Sequence, residues 1–363
     1  MWPDRRLLDL FRIEVPIIQA PMAGANGSAL AIAVSEAGGL GSLPCAMLDA
    51  AKARAEIGVI RQRTDKPINV NFFCHEPPAP DPQRDAAWKA RLKAYYLAER
   101  LDADASAPAV NRAPFDEAMC EIVEDLKPEV VSFHFGLPKP ALVVRVKAAG
   151  SLVISSATTA EEARWLEGRG CDAIIAQGCE AGGHRGMFLT GDIATQAGTF
   201  ALLPQVVDAV RVPVIAAGGI ADGRGVAAAF ALGAAGVQAG TAYLFTPEAT
   251  ISALHRAALR DARDDGTALT NLFSGRPARG LINRLMREAG PMSDLAPAFP
   301  TAGVALAPLK AKAEAAGRTD FSSLWSGQSA RLGREMGAGE LTRVLAQDAL
   351  QRLKAMAAPA QVG

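Results

Sequence analysis

The residues best suited to chemistry gather in IIAQGCEAGGHRG, 174–186, where four glycines surround Glu180, His184 and Arg185. Glycine reaches backbone conformations closed to other residues and lets a main chain lie against a ligand. An imidazole held in such a turn can take a proton as a general base or, once protonated, donate to an anion. A surface histidine without a role is the alternative for His184, but the chain has only four histidines and a second stands at a similar place. His134, in SFHFGLP, ends an apolar run, where alternation sets Phe133 and Phe135 on one face and His134 on the other. A catalytic ring and a buried, hydrogen-bonded ring both remain open for His134.

Two further turns, AAGGI and QAGTA, set Gly218, Gly219, Gly240 and Thr241 directly after consecutive apolar runs, with a helix starting near Asp222. Main-chain amides and a helix N-terminus placed this way bind phosphate. No P-loop lysine and no GxGxxG accompany them, so the site is of the mononucleotide type. In QAPMAGANGS, Met22 leads into a turn with Gly24 and Gly27 that can lie against a planar cofactor, a plain strand-to-helix turn being the alternative. Asn69 and Asn71 alternate in NVNFF and share a face; turned inward they need partners, and Asn71 is the nearer to the strand end. Gln177 also ends its run. Arg276 and Arg279, in LFSGRPARGLINRL, can neutralise an anionic substrate or hold a covering segment by ion pairs.

All these turns follow short apolar runs: Ile17 to Met22, Gly39 to Leu43, Pro67 to Phe73, Val130 to Phe135, Ser151 to Ser156, Ala173 to Gln177, Val212 to Ala217 and Val237 to Gly240. Between them lie amphipathic segments such as Ala50 to Gln62, Ala141 to Ala149, Ala160 to Glu167 and Gly223 to Leu232. Strand-then-helix alternation means a parallel sheet, and eight such units mean an α/β fold of the (β/α)8 TIM-barrel kind, with its active site at the C-terminal strand ends. Runs apolar on both faces fit that burial. Residues 1–258 are expected to form the barrel, 259–320 a small, mainly helical cap, and 321–363 helices that return to the barrel wall. The polar turn DARDDGTALTN opens the cap. A long connection from Glu76 to Pro114, beginning EPPAPDP and carrying a helix over Arg84 to Arg100, reads as a surface insertion.

With 363 residues, half of them apolar, and 38 basic against 38 acidic side chains, the chain has no charge run to favour nucleic acid or an anionic membrane. A small molecule is the expected partner. No run approaches the roughly 18 apolar residues of a membrane span, and MWPDRRLLDLFRIE lacks a signal-peptide core, so a cytoplasmic location is expected. Five cysteines without a CxxC pair argue against a disulfide framework or a metal site.

Four stretches, QAPMAG, FHFGLP, QGCEAGGHRG and LFSGRPARG, together with the late LWSGQ of Trp325 to Gln328, give the chain a resemblance that runs through nearly its whole length. It resembles the nitronate monooxygenases, formerly called 2-nitropropane dioxygenases, the bacterial and fungal class I group in particular. The resemblance implies FMN-dependent oxidation of alkyl nitronates, propionate 3-nitronate included, by O2 to a carbonyl compound and nitrite, without a nicotinamide cofactor. It implies FMN contacts at Met22, Asn71, Gln177, Gly182, Gly183, Gly218, Gly219, Gln238, Gly240 and Thr241. His184 would be the catalytic histidine, and His134 a second polar contact. The family pattern also implies a tyrosine near APAFP, where this chain has Phe299; losing that hydroxyl bears on which nitronate is preferred. Two rival readings stand beside it. One is an NAD(P)H-dependent FMN reductase of a quinone or enoyl thioester on the same barrel; the other is a non-redox lyase or isomerase whose phosphorylated substrate occupies the last two glycine turns. The oligomeric state, a homo-oligomer included, stays open.

Overall fold

The computed structural model describes residues 1–102 and 112–357. Eight parallel strands form the barrel wall: β1 (Ile17–Gln19), β2 (Gly41–Pro44), β3 (Ile68–Phe73), β4 (Val130–His134), β5 (Leu152–Ala157), β6 (Ala173–Gln177), β8 (Val214–Ala217) and β9 (Gly236–Ala239). β7 is the two-residue Gly183–His184, outside the wall. The strands follow one another around the sheet from β2 to β9, β1 pairs with β9, and an Ile18–Leu40 bridge draws the ends together. This is the (β/α)8 architecture that the alternating runs called for.

β1 stops at Gln19 rather than Met22 for a local reason. Pro21 has no N–H to give a ladder, and the Met22 N–H donates to Asn26 Oδ1 at 2.9 Å. Expected helices recur within a residue or two and start where short polar side chains cap them: Asp49 caps Ala50–Arg61, Thr159 caps Ala160–Glu167 and Asp222 caps Gly223–Ala231.

Two segments differ from their sequence reading. The insertion helix, Pro82–Ala98, is more than a surface addition. Its Trp88, Leu92, Tyr95 and Tyr96 join Leu272, Leu285, Leu309 and Phe321 in a second buried core, and Trp88 Nε1 and Tyr96 Oη donate to the Ala302 and Ala305 carbonyls at 3.1 and 2.6 Å. The segment after residue 259 holds helices Arg284–Ala289 and Ala307–Ala315, but also two strands. TALT of the supposed polar turn is β10 (Thr267–Thr270), antiparallel to β11 (Ala278–Leu281). A four-residue stretch carries too little period to declare itself a strand without its partner. β11 pairs in turn with β7, matching Ala278 to His184 and Arg279 to Gly183.

The last helix, Ala338–Ala357, buries Leu341, Leu345, Ala346 and Ala349 in the barrel's main core. It packs on helices Gly223–Ala231 and Ser28–Glu36. All five cysteines are unpaired. Among the described residues no helix is long and apolar enough to cross a membrane.

Candidate active site

The strand ends open into a cavity of about 530 Å3, the size of a site for a cofactor or small molecule. Both histidines and all ten residues expected to contact the cofactor line it, from Met22 and Asn71 on one side to Gly240 and Thr241 on the other, whereas Arg276 and Arg279 are not among its lining residues. Asn71 Nδ2 donates to the Ser132 hydroxyl and carbonyl at 3.0 and 3.2 Å. One layer deeper, Asn69 donates to Ser42 Oγ at 2.9 Å. The amide nitrogens of both inward asparagines are therefore partnered, while Asn69 Oδ1 is buried without a partner.

His184 is fixed through its main chain first. Pairing of β7 with β11 sets its backbone, and its carbonyl accepts from Gln177 Nε2 at 3.0 Å and His134 Nε2 at 3.2 Å. A carbonyl only accepts, so His134 carries its proton on Nε2 and takes the Ser156 hydroxyl at Nδ1, 3.1 Å away. Both nitrogens of His134 are thus spent on the protein, and burial lowers its pKa to about 4.

The His184 ring lies among Phe73, Phe135, Phe299 and Trp325, with centroids 5.3 to 6.3 Å away. Its Nε2 is 2.8 Å from Ser274 Oγ, while Nδ1 makes no hydrogen bond with the described residues. Burial holds its pKa well below the usual histidine range, and the charges of Arg112, His134, Arg276 and His75 push the same way. The ring is therefore neutral at physiological pH. Ser274 can donate to Nε2 or accept from it, so Nδ1 can present either a lone pair or an N–H without the ring becoming charged.

The loop that carries His184 is clamped at both ends. The fully buried Arg185 donates to the Gln177 and Gly178 carbonyls at 2.6 and 2.5 Å and to Gln196 Oε1 at 2.9 Å. Beyond it, the buried Glu162 carboxylate accepts from the Phe188 and Leu189 amides at 2.6 and 3.1 Å and from Thr158 N and Oγ1 at 2.6 and 2.7 Å. A buried charge is tolerated only with such full satisfaction. Arg276 donates to the Met187 carbonyl at 2.5 Å and covers the Phe135 ring at 4.0 Å, and Arg279 donates to the Cys179 carbonyl at 2.8 Å. Both arginines hold the cap strands onto this loop, through carbonyls instead of ion pairs.

Phe133 and Phe135 do not share a face. Phe133 packs outward on Phe72 and Phe115, whereas Phe135 sits with Phe73 and Phe299 at the cavity mouth. Phe135 takes a φ of 69°, which ends the alternation and swings its ring inward.

The nitronate monooxygenase family model matches residues 4–348. The chain belongs to the nitronate monooxygenase family. It is 44% identical over 347 residues to the nitronate monooxygenase of Pseudomonas aeruginosa, covering 94% of this chain and 98% of that one. Among solved structures it is similar to a nitroalkane oxidase from Streptomyces ansochromogenes, with 40% identity, a TM-score of 0.87 and coverage of 97% and 99%. It is also similar to FabK from Thermotoga maritima, at 29% identity, TM-score 0.71 and coverage of 98% and 99%.

The nitronate monooxygenases are flavin-dependent oxidoreductases, and this cavity fits such a cofactor. Gln238 Oε1 is buried at the cavity without a hydrogen-bond partner, an acceptor that a bound donor would satisfy. Gly218 and Gly219 have φ of 113° and 72°, so their amides turn in a way a side chain would oppose. A Cβ at Gly182 would fall 2.5 Å from Gly327 N, so the LWSGQ segment lies directly over the glycine turn. Gly327 N also donates to Thr241 Oγ1 at 2.9 Å.

Sequence reading missed several members of this nitronate monooxygenase site. Ser274, Arg112 and Phe73 line or approach the imidazole, and His255, which donates toward the Trp325 carbonyl at 3.2 Å, lines the far end. Histidine scarcity was the one available signal: His75 packs on Phe299 at 4.8 Å, so all four histidines lie at or beside this cavity.

Proposed function

We propose that this protein oxidises alkyl nitronates with O2 to a carbonyl compound and nitrite, using FMN held in the cavity. The observation that carries this reading, beyond family membership, is a neutral imidazole with one unspent nitrogen facing a cavity that a glycine cradle borders. Bound FMN would supply a planar electron acceptor that passes electrons to O2. The glycine turns Gly218–Gly219 and Gly240–Thr241 would hold its phosphate, since amides without side chains approach anions closely. Met22, Asn71, Gln177, Gly182, Gly183 and Gln238 would border its ring.

His184 is the catalytic group in this reading. Its Nδ1 can accept the α-proton of a neutral nitroalkane as a lone pair, or donate to a nitronate oxygen as an N–H, with Ser274 partnering Nε2 in either form. Phe73, Phe135, Phe299 and Trp325 exclude water around the ring, which strengthens such a hydrogen bond. His134, with both nitrogens committed, positions the His184 main chain and does not act on the substrate. Phe299 presents an apolar ring whose centroid is 5.3 Å from that of His184, which favours short alkyl chains over substrates that need a hydroxyl partner.

The test is a purified, yellow protein whose released flavin is identified as FMN, assayed for nitrite from ethylnitronate with oxygen uptake followed in parallel. Matching nitrite and oxygen traces are expected, with no bleaching of the flavin by NADH under anaerobic conditions. Rapid bleaching by NADH with no nitrite would replace this reading with the NAD(P)H-dependent reductase, and a colourless protein that takes up no FMN would leave the phosphorylated-substrate lyase or isomerase.

A further inference from the structure

Four buried or half-buried arginines surround the His184 loop, and three of them are spent. Arg185, Arg276 and Arg279 each donate to main-chain carbonyls. Arg112 differs. It lines the cavity, its Nε is buried without a hydrogen-bond partner, and no carboxylate pairs with it among the described residues. Its guanidinium carbon stands 5.9 Å from the Phe299 ring centroid, the same ring that lies 5.3 Å from His184. Its main chain lies against the His75 ring, and His75 in turn packs on Phe299 and Phe73.

Guanidinium stays charged at any physiological pH. A charge withdrawn from water without a partner is costly, and the cost is relieved when a ligand brings the opposite charge. The fork of N–H donors on arginine matches a planar group with two anionic oxygens. Arg112 and His184 line the same cavity, and the Arg112 charge acts on the imidazole.

We propose that Arg112 is a specificity-determining residue that pairs with a planar two-oxygen anion on the substrate. The inference rests on the nitronate-oxidising reading above. The anion is either the nitronate group or a carboxylate on the same alkyl chain. The effect is ground-state binding, so it should fall on KM more than on kcat.

Arg112→Gln, loaded with flavin to the wild-type level, should raise KM at least about tenfold on the anion it recognises, as loss of a charged hydrogen bond does. A rise confined to propionate 3-nitronate, with ethylnitronate unchanged, would locate the contact at the carboxylate; a rise on both would locate it at the nitronate oxygens. In either case Arg112→Lys should recover part of the loss. KM values within twofold of wild type on both substrates, or a fall in kcat alone, would overturn the proposal. A binding measurement keeps the two readings separate: 3-nitropropionate titrated into the oxidised enzyme should perturb the flavin absorbance, and Arg112→Gln should weaken that binding about tenfold. If the wild type binds this anion through Arg112 yet releases no nitrite, the activity is wrong and Arg112 stands. Equal binding by wild type and variant would remove Arg112 from the carboxylate, and together with unchanged KM on ethylnitronate would remove it altogether.

Discussion

The two ends of the cavity are built by opposite means. At the cradle end, Gly218, Gly219, Gly240 and Thr241 directly follow β8 and β9, so each strand positions its own turn and the working groups are backbone amides. At the imidazole end, His184 stands on a loop seven residues beyond β6, and everything that sets its properties comes from elsewhere: Ser274 from the cap, His134 from β4 and Phe135 just after it, Phe73 from β3, and Trp325 from the return segment. Local chain geometry makes the first; long-range packing makes the second. If that contrast is right, the two ends fail separately.

The largest expected effect is at the imidazole. His184→Asn should lower turnover on nitronates or nitroalkanes by roughly 10²- to 10⁴-fold, the usual worth of a positioned acid or base, while flavin content stays at the wild-type level. Steady-state nitrite release and the flavin-to-protein absorbance ratio measure both at once. Loss of flavin together with activity would show that the ends are one unit.

The complementary substitution is Gly219→Val. At φ 72° a β-branched residue is strained by roughly 1–3 kcal/mol, and a Cβ there meets only ordinary contacts from Glu180 and Ser329. The barrel should fold, but FMN should bind tenfold or more weakly, as read by flavin release during gel filtration. Retention of full flavin would move the phosphate away from this turn.

This contrast also explains what the sequence disclosed. At the cradle, strand, turn and helix follow one another directly, from β8 at Val214 to the end of its helix at Ala231, so periodicity and glycine placement reveal it. Ser274 reaches His184 from 90 positions away, and nothing in LFSGRPARG separates its serine from its arginines as the one that touches the ring. Phe135 misled for a different reason: alternation assumes extended backbone, and its left-handed φ breaks the period at one residue. The insertion helix was read as peripheral because its partners, Leu272, Leu309 and Phe321, lie about two hundred residues later.

A smaller effect should sharpen the account of the imidazole end. Ser274→Ala removes the hydroxyl that partners His184 Nε2 and orients the ring, and a lost neutral hydrogen bond of about 1 kcal/mol corresponds to a fivefold to tenfold change. Turnover should fall by that amount with flavin unchanged, and Ser274→Thr should restore much of it. A variant as active as wild type would mean the imidazole needs no partner at Nε2.

The mildest consequence is one of pH and stability. Burial lowers the pKa of His75, His134 and His255 to about 4 and that of His184 well below its usual value. Unfolded, the same rings titrate near 6.5. As the pH falls from 6.5 toward 4 the unfolded chain binds more protons than the folded one, so stability is lost on acidification and is fully present above 6.5. The thermal midpoint should therefore be flat above neutrality and decline through that window, before most carboxylates protonate. His184→Asn removes one of the four groups and should make the decline shallower, whereas Gly219→Val, acting at the other end, should lower the midpoint without changing its pH slope. Equal slopes in all three proteins would mean that the histidine cluster is hydrated and that the imidazole end is not the dry chamber its packing describes.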